Sequence, residues 1–304
     1  MRTHMLPIAI LLVLVVAPMA YAVLGWARTR GQRALAVRPL PAWNWRMSLV
    51  SMLLYVLAFN LVFFVQELFL VLPKALVPGL RPTLFHNNHS WSGTHPLAEL
   101  FQGTGVLATL LFGIACGWWL RRENTGAAWW RLLLFWLAFS GVFMALPQLA
   151  TGALLPQGDA GRAMAYLGMG ESARTLVALL ALVAIPLFAL WLLKPLLELA
   201  GNPAQVADSG ARHRYVFLAA TLPALLAIGL IVPFRVPREW IEVLIVPVVV
   251  TVVGVVWLQA GAWRQARSVV GTGSRSWPIA GPLAVVLALL ALFQLVLRPG
   301  IAFF

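Results

Sequence analysis

The sequence predicts an all-α fold, a polytopic transmembrane helix bundle of about eight spans, and three observations carry that prediction. Hydrophobic residues fill 62% of the 304 positions and charged residues only 10%, whereas charge takes about a quarter of an ordinary soluble domain. The mean hydropathy is +0.89. Eight apolar stretches approach the roughly 20 residues that a helix needs to cross about 30 Å of hydrocarbon. They lie near 6–26, 47–72, 97–120, 129–150, 172–193, 215–232, 240–257 and 278–297. Backbone amides in hydrocarbon must be satisfied within the chain, which favours helices, and uninterrupted apolar runs exclude the alternating strands of a barrel. The connections are short, so residues 1–304 read as a single integral membrane domain.

The first stretch ends near Ala20-Tyr21-Ala22, a pattern that resembles a signal-peptide cleavage site. Arg2 before it is outweighed by Arg28, Arg30, Arg33, Arg38 and Arg46 behind it, so the span is expected to be retained. On the second span Asn60, Glu67 and Lys74 are spaced by seven and share one helix face. A carboxylate at membrane depth is costly and normally faces the bundle interior with a partner. Glu67 is therefore either a functional residue or half of a structural pair with Lys74 or a histidine.

A polar insertion follows, His86-Asn87-Asn88-His89-Ser90-Trp91-Ser92-Gly93-Thr94-His95-Pro96, and it holds three of the five histidines. Neutral imidazoles beside carboxylates suit zinc or another divalent transition metal. His86, His89 and His95 are the candidate metal ligands, with Glu67 and Glu99 as candidate catalytic carboxylates; the alternative is histidines that are solvated or hydrogen-bonded. Pro96 suits the first helical position, with Thr94 or His95 as cap, and Glu99 then also suits the helix dipole. The small residues of Phe101-Gln102-Gly103-Thr104-Gly105 are expected to admit a neighbouring helix, and Cys116 reads as packing.

In the fourth connection, Gly158-Asp159-Ala160-Gly161-Arg162, Asp159 either pairs with Arg162 or brings a third carboxylate over the pocket. The expected pocket residues are Asn60, Gln66, Asn87, Asn88, Trp91, Gln102, Asp159 and Arg162. Spans six to eight, almost wholly Val, Leu, Ala and Ile, read as scaffold. Pro186, Pro223, Pro247 and Pro282 would bend helices without ending them.

The net charge of +13 would suggest nucleic acid as a partner in a soluble protein. Here the basic residues concentrate in the odd-numbered connections, and positive loops stay in the cytoplasm. Both termini and the histidine loop are thus expected outside a bacterial plasma (inner) membrane, with the lipid bilayer and other membrane subunits as partners and no nucleic acid.

The helix segment Phe64-Val65-Gln66-Glu67-Leu68-Phe69-Leu70, a polar hairpin, a Gly-rich apolar helix and then Gly158-Asp159-Ala160-Gly161 come in an order that resembles the site-2-protease-like membrane zinc metalloproteases. The likeness covers Asn60 to Gly170. It implies Glu67 at the general-base position and Asp159 at that of the third ligand, with Gln66 and Leu70 where that family has histidines. The implied protein is a degenerate member without peptidase activity, or one whose metal has moved to the histidine loop. Taken together, the residues point first to a non-catalytic binding or scaffold subunit of a membrane complex. The alternatives are a metal-dependent hydrolase using His86, His89 and His95, and a small-solute or proton-coupled carrier with Glu67 as relay; the lack of an internal repeat weakens the last.

Overall fold

Eight helices are long and apolar enough to span a bilayer, each where hydropathy places one. The computed structural model describes residues 5–34, 41–123, 126–238, 240–263 and 275–304; Arg38, Glu239, Arg264 and Arg267 lie outside the described residues. In chain order the elements are α1 (Leu6–Arg30), α2 (Trp45–Ala75), α3 (Leu97–Arg122) and α4 (Ala128–Gly152). A short α5 (Asp159–Tyr166) follows, then α6 (Glu171–Leu197), α7 (Ser209–Arg235), α8 (Trp240–Gly261) and α9 (Ala280–Leu297). The chain is a multi-pass membrane protein.

The polar insertion is ordered as a β-hairpin, β1 (Arg81–Leu84) with β2 (His89–Ser92), and the C-terminal β3 (Ile301–Ala302) adds to its other edge. Both pairings are antiparallel, with Thr83 opposite Ala302 and Leu84 opposite Ile301. The C-terminus therefore lies on the same side of the bundle as the histidines. Gly93 holds the hairpin base with φ +93°, and a Cβ there would run into the Gly79 carbonyl oxygen. Only glycine meets both demands.

Helices α2 and α4 form the centre. In α4, 89% of the apolar window is buried, against 11% in α1, which faces lipid along most of its length. Yet α1 is docked. Its π-helical turn Leu12–Val16 presents the Val13 carbonyl to Trp257 Nε1 at 3.2 Å, and Tyr21 packs against the same indole with ring centroids 6.1 Å apart.

Prolines inside spans remove a helical N–H and leave the carbonyl four residues earlier without its donor. The fold supplies replacements from neighbouring helices. Pro73 vacates the Phe69 carbonyl, which accepts from Thr104 Oγ1 at 2.6 Å. Pro195 vacates that of Trp191, which accepts from Arg121 Nη2 at 3.1 Å, and Pro223 vacates that of Ala219, which accepts from Ser51 Oγ at 2.6 Å. None of these three donors stands out in the sequence, because each answers a carbonyl on a different helix. Thr104→Val keeps shape and removes the hydroxyl, so it is expected to lower stability by about 1 kcal/mol. Unfolding in mixed SDS micelles would read that loss, and an unchanged midpoint would show the bond to be idle.

Small residues set the tightest helix approaches. Gly113 of α3 and Gly141 of α4 face each other so closely that a Cβ on Gly141 would lie 2.6 Å from Gly113 Cα. At Gly105 an added Cβ would stand 2.8 Å from the Gln66 carbonyl of α2, as the small residues of that segment predict. Cys116 is buried in the core.

Candidate functional site

The site lies where α2 ends, under the hairpin. Glu67 is just over two turns from the end of α2, facing inward, with only 5% of its surface exposed. Hairpin formation turns His89 back toward it, and His89 Nδ1 donates to Glu67 Oε2 at 2.8 Å. The side chains of both are more than nine-tenths buried. Of the roles open to Glu67, the structural pair with a histidine is thus present. Its ring-mate Trp91 stacks on His89 at 5.7 Å and receives Lys74 Nζ over its face at 4.7 Å.

Lys74 is fully buried, donates to the Leu70 carbonyl at 2.7 Å, and feels the charges of Asp159, Glu67 and Glu99. An ammonium on an aromatic face keeps part of its solvation there. Lys74 and Trp91 therefore fasten the hairpin to α2 beside the Glu67–His89 bond.

Helix α5 carries Asp159 in its first turn. Burial pushes the Asp159 carboxyl above its ordinary value and the Glu67 carboxylate pushes the same way, while His89, Lys74 and Arg162 oppose them. Asp159 does not form the surface pair with Arg162. The Arg162 guanidinium instead lies 3.6 Å from Glu99 Oε1, donates to the Gln157 carbonyl and sits over Trp91 at 5.9 Å. With its guanidinium drawn to Glu99, Arg162 makes no ion pair with Asp159, which has none within 4 Å among the described residues.

Glu67 and Asp159 meet at a cavity of about 560 Å³, within the range of small-ligand sites. Its polar end is formed by Gln66, Glu67, Asn87, Asn88, Gln148 and Asp159, with Arg235 of α7 stacked 4.3 Å over the Phe63 ring. Its apolar wall runs down Phe143 and Met144 of α4 and Val246, Val249 and Val250 of α8. Ile245 of α8 and Leu155, in the connection just after α4, are on its lining at 51% and 49% exposed, so the apolar wall reaches the outer surface of the bundle. Deeper in the bundle, α8 and α4 are in close contact where Gly254 meets the Phe139 ring. Above that contact they leave the cavity between them.

Several expected members stand elsewhere. Asn60 donates to the Val56 carbonyl of its own helix at 2.8 Å and does not line the cavity. Gln102 is buried and also lies off the lining. Glu99 is half-exposed with Arg162. The helix has Pro96, not Thr94 or His95, as its N-cap, and His95 stands just before it, accepting from the Leu97 amide through Nδ1 at 3.2 Å.

His86 turns away, with Nε2 donating to the Val236 carbonyl at 3.1 Å. Burial and the nearby Arg298, Arg238 and Arg235 hold its imidazole below its ordinary value, against the Val236 bond. The three histidines thus have three separate partners, because residues 86, 89 and 95 occupy the hairpin turn, the inward strand and the segment just before the helix start. Among the described residues no three His, Cys, Asp or Glu side chains gather as a metal-holding group. The helix positions 66 and 70, glutamine and leucine, carry no imidazole, and Gln66 accepts from Gln148 Nε2 at 3.0 Å. The donor set does not fit zinc, and no step through a metal follows from it.

The expectation that spans six to eight are scaffold alone is corrected by Arg235 and by the α8 valines, which complete the cavity. Gln148 and Thr151, polar residues one turn apart at the end of α4, also line the cavity; both were missed from the sequence, where their polarity near the end of an apolar span is the signal. Compared with family models, curated proteins and solved structures, the chain matches none.

Proposed function

We propose that this chain is a non-catalytic binding subunit of a bacterial inner-membrane complex, with both termini and the hairpin outside, and that it holds an amphiphilic ligand in the cavity between α4 and α8. One observation carries the reading: the cavity joins a polar end, at Glu67, Asp159, Gln66 and Gln148, to an apolar wall whose rim is lined by exposed Leu155 and Ile245. Such a shape suits a molecule that arrives sideways from the bilayer with its head at the outer surface. The orientation is supported by basic residues concentrated in the odd-numbered connections.

The resemblance to site-2-protease-like enzymes fits the same reading as a member without peptidase activity. Glu67 and Asp159 line one cavity, and Glu67 bonds His89 where a general base would need a water on a metal.

The test is extraction of the protein purified in mild detergent, followed by mass spectrometry of what it carries. Wild-type protein is expected to hold about one equivalent of an amphiphile beyond the annular lipid, and Val249→Trp, which fills the apolar wall, is expected to lose it. Equal amphiphile content in the two would remove the proposal.

A further inference from the structure

The chemistry of the cavity's polar end selects among amphiphiles, and this selection rests on the binding reading above. Charged side chains on the lining are Glu67, Asp159 and Arg235 among the described residues. Lys74 and Arg162 are turned elsewhere, to the Leu70 carbonyl and the Trp91 face in one case and to Glu99 in the other. Glu67 already accepts from His89 through Oε2. Asp159 has no ion pair or side-chain hydrogen bond among the described residues, and it faces the cavity with partial exposure.

Gln148 sharpens the picture. Its amide nitrogen is committed twice, to Gln66 Oε1 at 3.0 Å and to the Met144 carbonyl at 2.9 Å. What remains for a ligand is the amide oxygen, an acceptor. The polar end of the cavity thus offers an amide oxygen and a carboxylate that His89, Lys74 and Arg162 reach only through space, and both call for a bonded donor, since a partly buried polar group without one is costly. A primary ammonium has three N–H donors and a positive charge. A quaternary ammonium has the charge without the donors, and a hydroxyl the donor without the charge.

We infer that the cavity takes an amphiphile whose head carries a primary ammonium group, held by the Asp159 carboxylate and the Gln148 amide oxygen, with its apolar part along Val246, Val249 and Phe143. Arg235, at the same end, suits a phosphate beside that ammonium. The chemistry is shared by an aminophospholipid of the bilayer and by a free long-chain amine.

Native mass spectrometry of the full chain in mild detergent, titrated with chain-matched phosphatidylethanolamine, phosphatidylcholine and phosphatidylglycerol, and separately with dodecylamine and dodecanol, tests it. The primary-ammonium member of either series is expected to bind about tenfold more tightly than its partners, the order of one charge-assisted hydrogen bond. Preference confined to the lipid series assigns the ligand to the membrane, and preference confined to dodecylamine assigns it to a free amine.

Asp159→Asn is expected to erase the preference while leaving binding of the apolar part. Gln148→Met, which removes the acceptor at similar bulk, is expected to weaken it, and decides the matter should the first variant fail to accumulate. Binding that ignores the head group, or prefers phosphatidylglycerol, would overturn the ammonium assignment and leave the amphiphile reading standing. Binding in no series that Val249→Trp can abolish would overturn both.

Discussion

His89→Ala is expected to destabilise the protein by about 1.5–3 kcal/mol, the range for losing a hydrogen bond to a charged group whose buried partner stays behind. The Glu67 carboxylate, 5% exposed in the intact protein, would lose the Nδ1–H that meets it at 2.8 Å. The ring also supports Trp91 at 5.7 Å, so the hairpin and its contact with Lys74 should loosen with it. Adding Glu67→Gln to His89→Ala removes the stranded charge and is expected to recover much of the loss, a non-additivity that a double-mutant cycle reads directly. Unfolding midpoints in mixed SDS micelles for the four proteins decide it. A His89→Ala protein within about 0.5 kcal/mol of wild type would show that the pair contributes nothing.

Gly141→Leu is expected to prevent accumulation of folded protein, and Gly141→Ala to cost about 1–3 kcal/mol, the usual penalty for bulk forced into a packed contact. The reason is geometric. The added Cβ would stand 2.6 Å from Gly113 Cα and 2.7 Å from the Thr109 carbonyl oxygen. Both are backbone, so no rotamer change relieves the clash. Parting α3 from α4 would also move the α4 wall of the cavity, which includes Phe143, Met144 and Gln148. Gly170→Ala is the control, since nothing lies within 4 Å of a Cβ there. Similar expression and stability for Gly141→Leu and Gly170→Ala would contradict the close crossing.

The candidate site was legible in part, and the residues show why. Glu67 announces itself because a carboxylate in an apolar run has few harmless explanations, and Asp159 because it stands in a polar connection next to the same bundle. The three histidines mislead for a geometric reason: nearness along the chain is not convergence in space. A hairpin sends alternate side chains to opposite faces, so His89 enters the bundle, while His86 sits in the turn and His95 at the helix start. Arg235 and the α8 valines join the cavity from more than 160 positions beyond Glu67, and no spacing rule connects them to it. The proline-vacated carbonyls are the same case, since Thr104, Arg121 and Ser51 look ordinary until a carbonyl on another helix faces them.

What the sequence by itself determined is the membrane fold: eight spans, nearly at their observed ends. Transfer of apolar side chains out of water is a local, additive quantity that any window of residues reports. What only the tertiary structure decided is which polar groups meet. The Glu67–His89 bond, the strand that β3 adds beside the hairpin and the cavity between α4 and α8 depend on helix packing and on a returning C-terminus. In a bilayer the helices share the same apolar surroundings, so their mutual arrangement rests on close contacts such as Gly113 with Gly141 and on cross-helix hydrogen bonds, pairwise terms that no single stretch of chain contains.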